Sequence, residues 1–143
     1  MDRLKSMVIL FGMSLLMVAS FPNVSALPSC LLQSVNYDFP SYVSPGQQIG
    51  VQTHLTLSCV EWAPFITEYS IRVDLTNTAT GFVLSTTTYQ VGFGQTYIDQ
   101  VFTNLATAPN SQGTWPLRVD VYVWGGSGQL LIHLTDYAKI PVE

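Results

Sequence analysis

Over positions 49–60 the chain alternates. Val51, Thr53, Leu55, Leu57 and Cys59 share one face, while Gln52, His54, Thr56 and Ser58 share the other. A period of two is the signature of an extended strand with one buried side, because successive side chains leave opposite faces of the pleat. The apolar face ends on Cys59, and the other cysteine of the chain is Cys30. Between them lies Ser44-Pro45-Gly46-Gln47, in which proline fixes φ and glycine accepts a positive φ, the makings of a tight turn. The midpoint of positions 30 and 59 is 44.5, inside that turn. Two antiparallel segments folded about it bring Cys30 opposite Cys59, at a separation that a disulfide spans. An even cysteine count also suits an oxidising compartment. The weak point is Phe39-Pro40, where proline removes a ladder donor. The first strand is expected to break there and resume near Tyr42, and a bulge would shift the register by one residue.

The same alternation recurs downstream. Tyr69, Ile71, Val73 and Leu75 are expected inside, with Ser70, Arg72 and Asp74 outside. Positions 76–81, TNTATG, read as a polar turn. Positions 82–91 are rich in threonine but alternate weakly, as an edge strand does. A further strand covers 96–105 and is broken by the run Ala108-Pro109-Asn110-Ser111-Gln112-Gly113. The last two strands form a hairpin about Gly125-Gly126-Ser127-Gly128. Leu117, Val119, Val121 and Val123 line its inner face with Leu130, Ile132 and Leu134. Arg118, Asp120, Tyr122, Trp124, Leu131, His133 and Thr135 point outward. Seven short strands without a helical period predict an all-β, two-sheet sandwich.

Ahead of this domain stands an export signal. Arg3 and Lys5 precede an apolar run over positions 7–19, Phe21-Pro22 ends it, and Val24-Ser25-Ala26 offers small side chains for cleavage after Ala26. The run is shorter than the ~20 residues a spanning helix needs, which favours a cleaved leader over a retained anchor. Residues 1–26 are therefore expected to be a signal peptide that forms a helix, and 27–143 a single secreted domain. Leu27-Pro28-Ser29-Cys30 loosely resembles a lipoprotein box. Lipidation of Cys30 would leave Cys59 unpaired, so membrane attachment is expected only through an uncleaved leader or a lipidated Cys30.

From Leu27 onward the basic residues are Arg72, Arg118 and Lys139, against eight acids. Neutralising a nucleic-acid backbone requires clustered cations, so that partner is not expected. Gly-rich phosphate loops, HExxH, EF-hand loops and CxxC do not occur. His54 and His133 fall on outward positions of different strands, and Asp74, Asp99, Asp120 and Asp136 alternate with apolar residues as solvent-face charges do. No catalytic residue, metal site or cofactor is expected. The outward aromatics are the candidate binding residues: Tyr122, Trp124, with Tyr137 joining them from the last strand, and Trp62 after the second cysteine. Such rings stack on sugars or anchor a protein partner; equally, they cover sheet edges.

The segment Tyr42-Val43-Ser44-Pro45-Gly46-Gln47-Gln48-Ile49-Gly50-Val51 and the closing hairpin over 119–128 resemble CARDB-type and related prokaryotic cell-surface immunoglobulin-like domains. The resemblance implies a seven-stranded immunoglobulin-like sandwich with an adhesive or scaffolding habit and no catalytic residues. A Cys30–Cys59 link within one sheet departs from the antibody pattern, whose disulfide joins the two sheets. The expected function is a non-catalytic secreted or cell-surface domain serving binding, adhesion or surface assembly. Its partner is a protein or a second copy of the chain. The alternative is a small carbohydrate-binding module that takes a glycan on its aromatics.

Overall fold

The computed structural model describes residues 29–60, 68–92 and 95–143. The expected signal peptide, its cleavage site and Trp62 lie outside the described residues. Among these residues are seven strands: β1 (Ser29–Asp38), β2 (Gln48–Val60), β3 (Ser70–Asn77), β4 (Phe82–Gln90), β5 (Tyr97–Thr107), β6 (Gly113–Trp124) and β7 (Leu130–Val142). They make two antiparallel sheets, ordered β1-β2-β5 and β4-β3-β6-β7. The alternating residues meet between them. Val51, Leu55, Leu57 and Cys59 of β2 are buried with Ile71, Val73 and Leu75 of β3 and with Leu117, Val119, Val121 and Val123 of β6. Trp115, which alternation did not single out, is the largest fully buried side chain among the described residues.

Cys30 and Cys59 are register partners and are joined by a disulfide. A bulge between Leu32 and Ser34 shifts the β1–β2 pairing by one residue. The turn between the strands is held by the Gln47 N–H, which donates to the Ser44 carbonyl at 3.0 Å. Gly46 there has φ 75°, and an added Cβ would meet Asn110 Oδ1 at 3.0 Å, so this position needs glycine twice over.

The first strand ends at Asp38 but does not resume in its own sheet. Val43 pairs in parallel with Val142 of the other sheet, its N–H donating to Pro141 O at 2.9 Å and its carbonyl accepting from Glu143 N–H at 2.8 Å. Pro40 has no donor with which to extend the β1–β2 ladder. Crossing over instead lets Val43 be fully buried and closes the flank between the two sheets.

Each flank also carries a polar device. Between β4 and β5, Asn104 is only 1% exposed. Its Nδ2 donates to Val73 O at 3.0 Å, to Ser85 O at 3.2 Å and to Ser85 Oγ at 2.8 Å. These acceptors sit beside a register shift at Leu75/Thr76, where β4 bulges. Asn104 thus ties β5 to β3 and β4 beside the bulge. On the other flank, Asp136 corrects the expectation of a solvent-face charge: it lies opposite Val119, on the inner register of edge strand β7. Burial first, then the charges of Asp136 and Asp120, push the Tyr37 hydroxyl up to about 12. An inward charge on an edge strand discourages addition of a further strand.

The closing hairpin differs at one point from its alternation. A register shift between Val123 and Trp124 places Leu130 opposite Trp124, where it is exposed, while Leu131 packs against the core. The bulge exchanges the roles of these two leucines.

Candidate functional site

The outer face of the four-stranded sheet is built in rows by strand register. One row reads Thr86, Asp74, Asp120, Thr135 across β4, β3, β6 and β7; the next reads Thr88, Arg72, Tyr122, His133; the third reads Gln90, Ser70, Trp124, Leu130. On the other side of the aspartates stands a row of Thr76, Arg118 and Tyr137.

Asp74 and Asp120 are therefore directly opposed, a pairing that their alternation as solvent-face charges did not disclose. Nor are they solvated: Asp74 is 8% and Asp120 4% exposed. Two like charges opposed across strands repel, so the pair persists only with compensation. Asp120 accepts from Arg118 Nε at 2.7 Å and from Thr135 Oγ1 at 2.8 Å, and shares a hydrogen bond with His133 Nε2 at 3.0 Å. Asp74 accepts from Thr86 Oγ1 at 2.9 Å, and Arg72 Nε stands 3.3 Å from its other oxygen. Burial works to raise Asp120. The hydrogen bonds from His133, Arg118 and Thr135 outweigh it and hold the carboxyl below its ordinary value.

A carboxyl depressed in the folded chain stabilises it above the unfolded pKa of about 4 and ceases to do so as pH falls through the folded value. Asp120→Asn should therefore lower stability at neutral pH by about 1–3 kcal/mol and flatten the acid limb of the stability curve. Urea unfolding at a series of pH values checks this. An unchanged acid limb would show that Asp120 is not held in its charged state by these partners.

The signal that could have revealed this cluster is a repeated triplet, Arg72-Val73-Asp74 and Arg118-Val119-Asp120, each flanked by apolar residues. The antiparallel β3–β6 register superposes the two about a local two-fold, aspartate on aspartate. The two arginines then diverge. Arg118 donates to its own aspartate. Arg72 instead lies over aromatic rings, its guanidinium carbon 4.7 Å from the Tyr122 centre and 4.9 Å from the Trp124 centre. Its Nε is buried without a hydrogen-bond partner. Tyr122 also stacks on Trp124 (5.3 Å between ring centres) and on His133 (4.5 Å). The result is a cation that stands beside the Asp74 carboxylate and is also held against an aromatic stack.

Of the sequence-level candidates, the structure brings Tyr122 and Trp124 together. Tyr137 lies on the same face, 67% exposed, but two rows from Tyr122 and beyond the aspartates. His133 joins the cluster, whereas His54 pairs with Asp99 on the opposite sheet. Each histidine meets one carboxylate. Among the described residues no group of three His, Cys, Asp or Glu is placed to hold a metal ion. Lys139 falls on the outward register as well, opposite Pro116. All three Lys and Arg side chains of the described residues thus stand on this one face.

The two-sheet arrangement can be compared with known proteins. Neither a family model nor a curated protein matches the chain. Solved structures do. A bacterial adhesin from Mobiluncus mulieris, which contains intramolecular disulfide, isopeptide and ester cross-links, aligns with a TM-score of 0.54 at 9% identity over 81% of this chain. A second crystal form of it gives 0.52 at 10% identity. The likeness is one of fold. The alignment spans 57% of the adhesin chain. A CARDB domain from Pyrococcus furiosus aligns over 81% of this chain and 89% of its own, with a TM-score of 0.40 at 11% identity.

The fold is thus an immunoglobulin-like sandwich of a kind found in a bacterial adhesin. Chemically, its four-stranded face can present arginine and tryptophan on a rigid sheet. Those residue types dominate binding hot spots, because they combine large apolar area with directed hydrogen bonding.

Proposed function

We propose that this chain is a secreted or cell-surface, non-catalytic domain of adhesion type, and that it meets its partner through the outer face of the four-stranded sheet. The observation that carries the reading is that every Lys and Arg of the described residues, in an acidic chain, stands on this one face, with Arg72 laid over a stacked Tyr122–Trp124 pair. Arg72 adds a preorganised fork of donors. The disulfide suits an oxidising compartment, and the leader expected over residues 1–26 would deliver the chain there.

The polar groups on this face argue for binding rather than turnover. Both oxygens of Asp120 are engaged, and His133 is tied to one of them. A protein partner fits better than a neutral glycan, because a sugar needs an open ring face and Tyr122 stacks on Trp124 and on His133.

The test is retention of the purified protein on cell envelopes of the producing organism and on an array of neutral and carboxylated oligosaccharides. Arg72→Ala and Trp124→Ala are each expected to weaken envelope binding about tenfold or more while leaving the fold intact by circular dichroism. Binding that survives both substitutions would overturn the choice of face. Retention on the oligosaccharides, lost in Trp124→Ala, would favour the carbohydrate-binding alternative.

A further inference from the structure

The face opposite the proposed binding surface has its own character. On the three-stranded sheet the outward rows read Leu31, Ser58, Tyr97; then Ser34, Thr56, Asp99; then Asn36, His54, Val101; then Asp38, Gln52, Thr103; then Gly50 and Leu105. Four large apolar side chains are exposed here: Leu31, Tyr97, Val101 and Leu105. Asp38 and Asp99 are also exposed, and this face has no Lys or Arg. Monomeric domains seldom leave so many large apolar groups on one face without a partner for it.

We infer that the partner of the four-stranded face is the three-stranded face of a second copy of this chain, so that the domain assembles head to tail. This rests on the proposed binding surface and names its occupant. Charge decides the pairing. Two three-stranded faces brought together would set Asp38 and Asp99 against their own copies, while two four-stranded faces, whose Arg118 and Arg72 already stand beside the buried Asp120 and Asp74, would set Lys139 against its copy and leave Asp38 and Asp99 unmatched. The mixed pairing sets the half-exposed Arg72 and the exposed Lys139 against carboxylates. It also covers Leu31, Tyr97, Val101 and Leu105 with Tyr137, Leu130 and the aromatic stack.

Such an interface is heterologous. Each copy keeps one face free, and growth continues unless the rotation closes a ring. Three strands about 4.8 Å apart and some ten residues long offer a footprint of roughly 500 Å². That falls below the ~800 Å² per partner of a standard stable interface, so the contact is weak singly and effective when many copies are held on a surface.

Sedimentation velocity over a concentration series up to about 1 mM tests this, with the footprint setting the range. Average mass should rise past that of a dimer, and added salt should reduce it. Val101→Arg blocks the three-stranded face, and Tyr137→Glu, with Lys139→Glu as a second variant, blocks the other. All three are exposed, outside the aspartate cluster, and leave the fold intact. Each variant alone should stay monomeric. Mixing Val101→Arg with Tyr137→Glu should give a one-to-one dimer and nothing larger, since each supplies the face that the other lacks.

A wild-type chain that stays monomeric, or a Tyr137→Glu chain that still self-associates, overturns the inference. A monomeric wild type whose envelope binding is still lost in Arg72→Ala and Trp124→Ala overturns the head-to-tail assembly alone and leaves the proposed binding face standing.

Discussion

Reduction of the Cys30–Cys59 disulfide is expected to cost about 3–4 kcal/mol, the chain-entropy value for a closed loop of this length. The cysteines are 29 residues apart in sequence. The effect should be large because of where the bond sits. β1 is an edge strand that pairs with β2 alone. It supplies Leu32, Val35 and Tyr37 as a partly buried cover over the core. Without the bond, that packing, the Ser34–Thr56 hydrogen bond and the ladder hold the cover in place, and the bulge between Leu32 and Ser34 already interrupts the ladder. The melting temperature should fall on the order of 10–20 °C for a domain of this size. Urea unfolding with and without a reductant, alongside the Cys30→Ser and Cys59→Ser double variant, measures it. The double variant should match the reduced wild type. If it instead matched the oxidised wild type, the bond would be no part of what holds β1 down.

The second large effect is expected at Asn104. Its side-chain amide bridges β5 to β3 and β4, donating to Val73 O and to both oxygens of Ser85. Removing it leaves buried carbonyls without a donor, and each such group costs about 1–3 kcal/mol. Asn104→Ala should lose about 2–4 kcal/mol, cavity included. Leucine is of similar size, but Asn104→Leu should recover only the cavity part. Thr87→Val should cost less than about 1 kcal/mol, because its bond to Asn104 Oδ1 is long, at 3.4 Å. Hydrogen exchange in the Asn104 variants should rise first along β4, the edge strand that this amide pins down. A leucine variant as stable as wild type would show that the buried amide is replaceable filling.

Much of the architecture can be read from alternation alone. The inward set of β2, β3 and β6, the turn at Pro45-Gly46 and the opposition of Cys30 to Cys59 all follow from a period of two and one turn sequence. What alternation does not carry is the identity of cross-strand neighbours. Asp74 and Asp120 both read as solvent-face charges, because the pattern assigns a side of the sheet and says nothing of what flanks a residue on that side. Only the β3–β6 register puts them face to face and buries them under Arg72, Arg118, Thr86 and Thr135.

The same limit hid Asn104. A polar residue on an inward position is legible only once the bulge it serves in another sheet is known. Val43 shows a third kind of limit. Proline at position 40 announces a break, but whether the chain rejoins its own sheet or crosses to the other depends on which flank is open. At the binding face the outward aromatics Tyr122 and Trp124 were legible as candidates. The arginine that lies over them was not, because it comes from a strand some fifty residues earlier in the chain.

The most direct measurement is the ¹H–¹⁵N spectrum of the chain recorded as its concentration is raised. If the outer sheet face is where this molecule meets its partner, the Trp124 indole and the backbone amides of Arg72, Tyr122 and His133 should shift together. Signals on the outer positions of β2 and β5 should move with them. Shifts confined to the exposed edge of β4, or to the loops at the ends of the sandwich, would contradict the assignment of that surface.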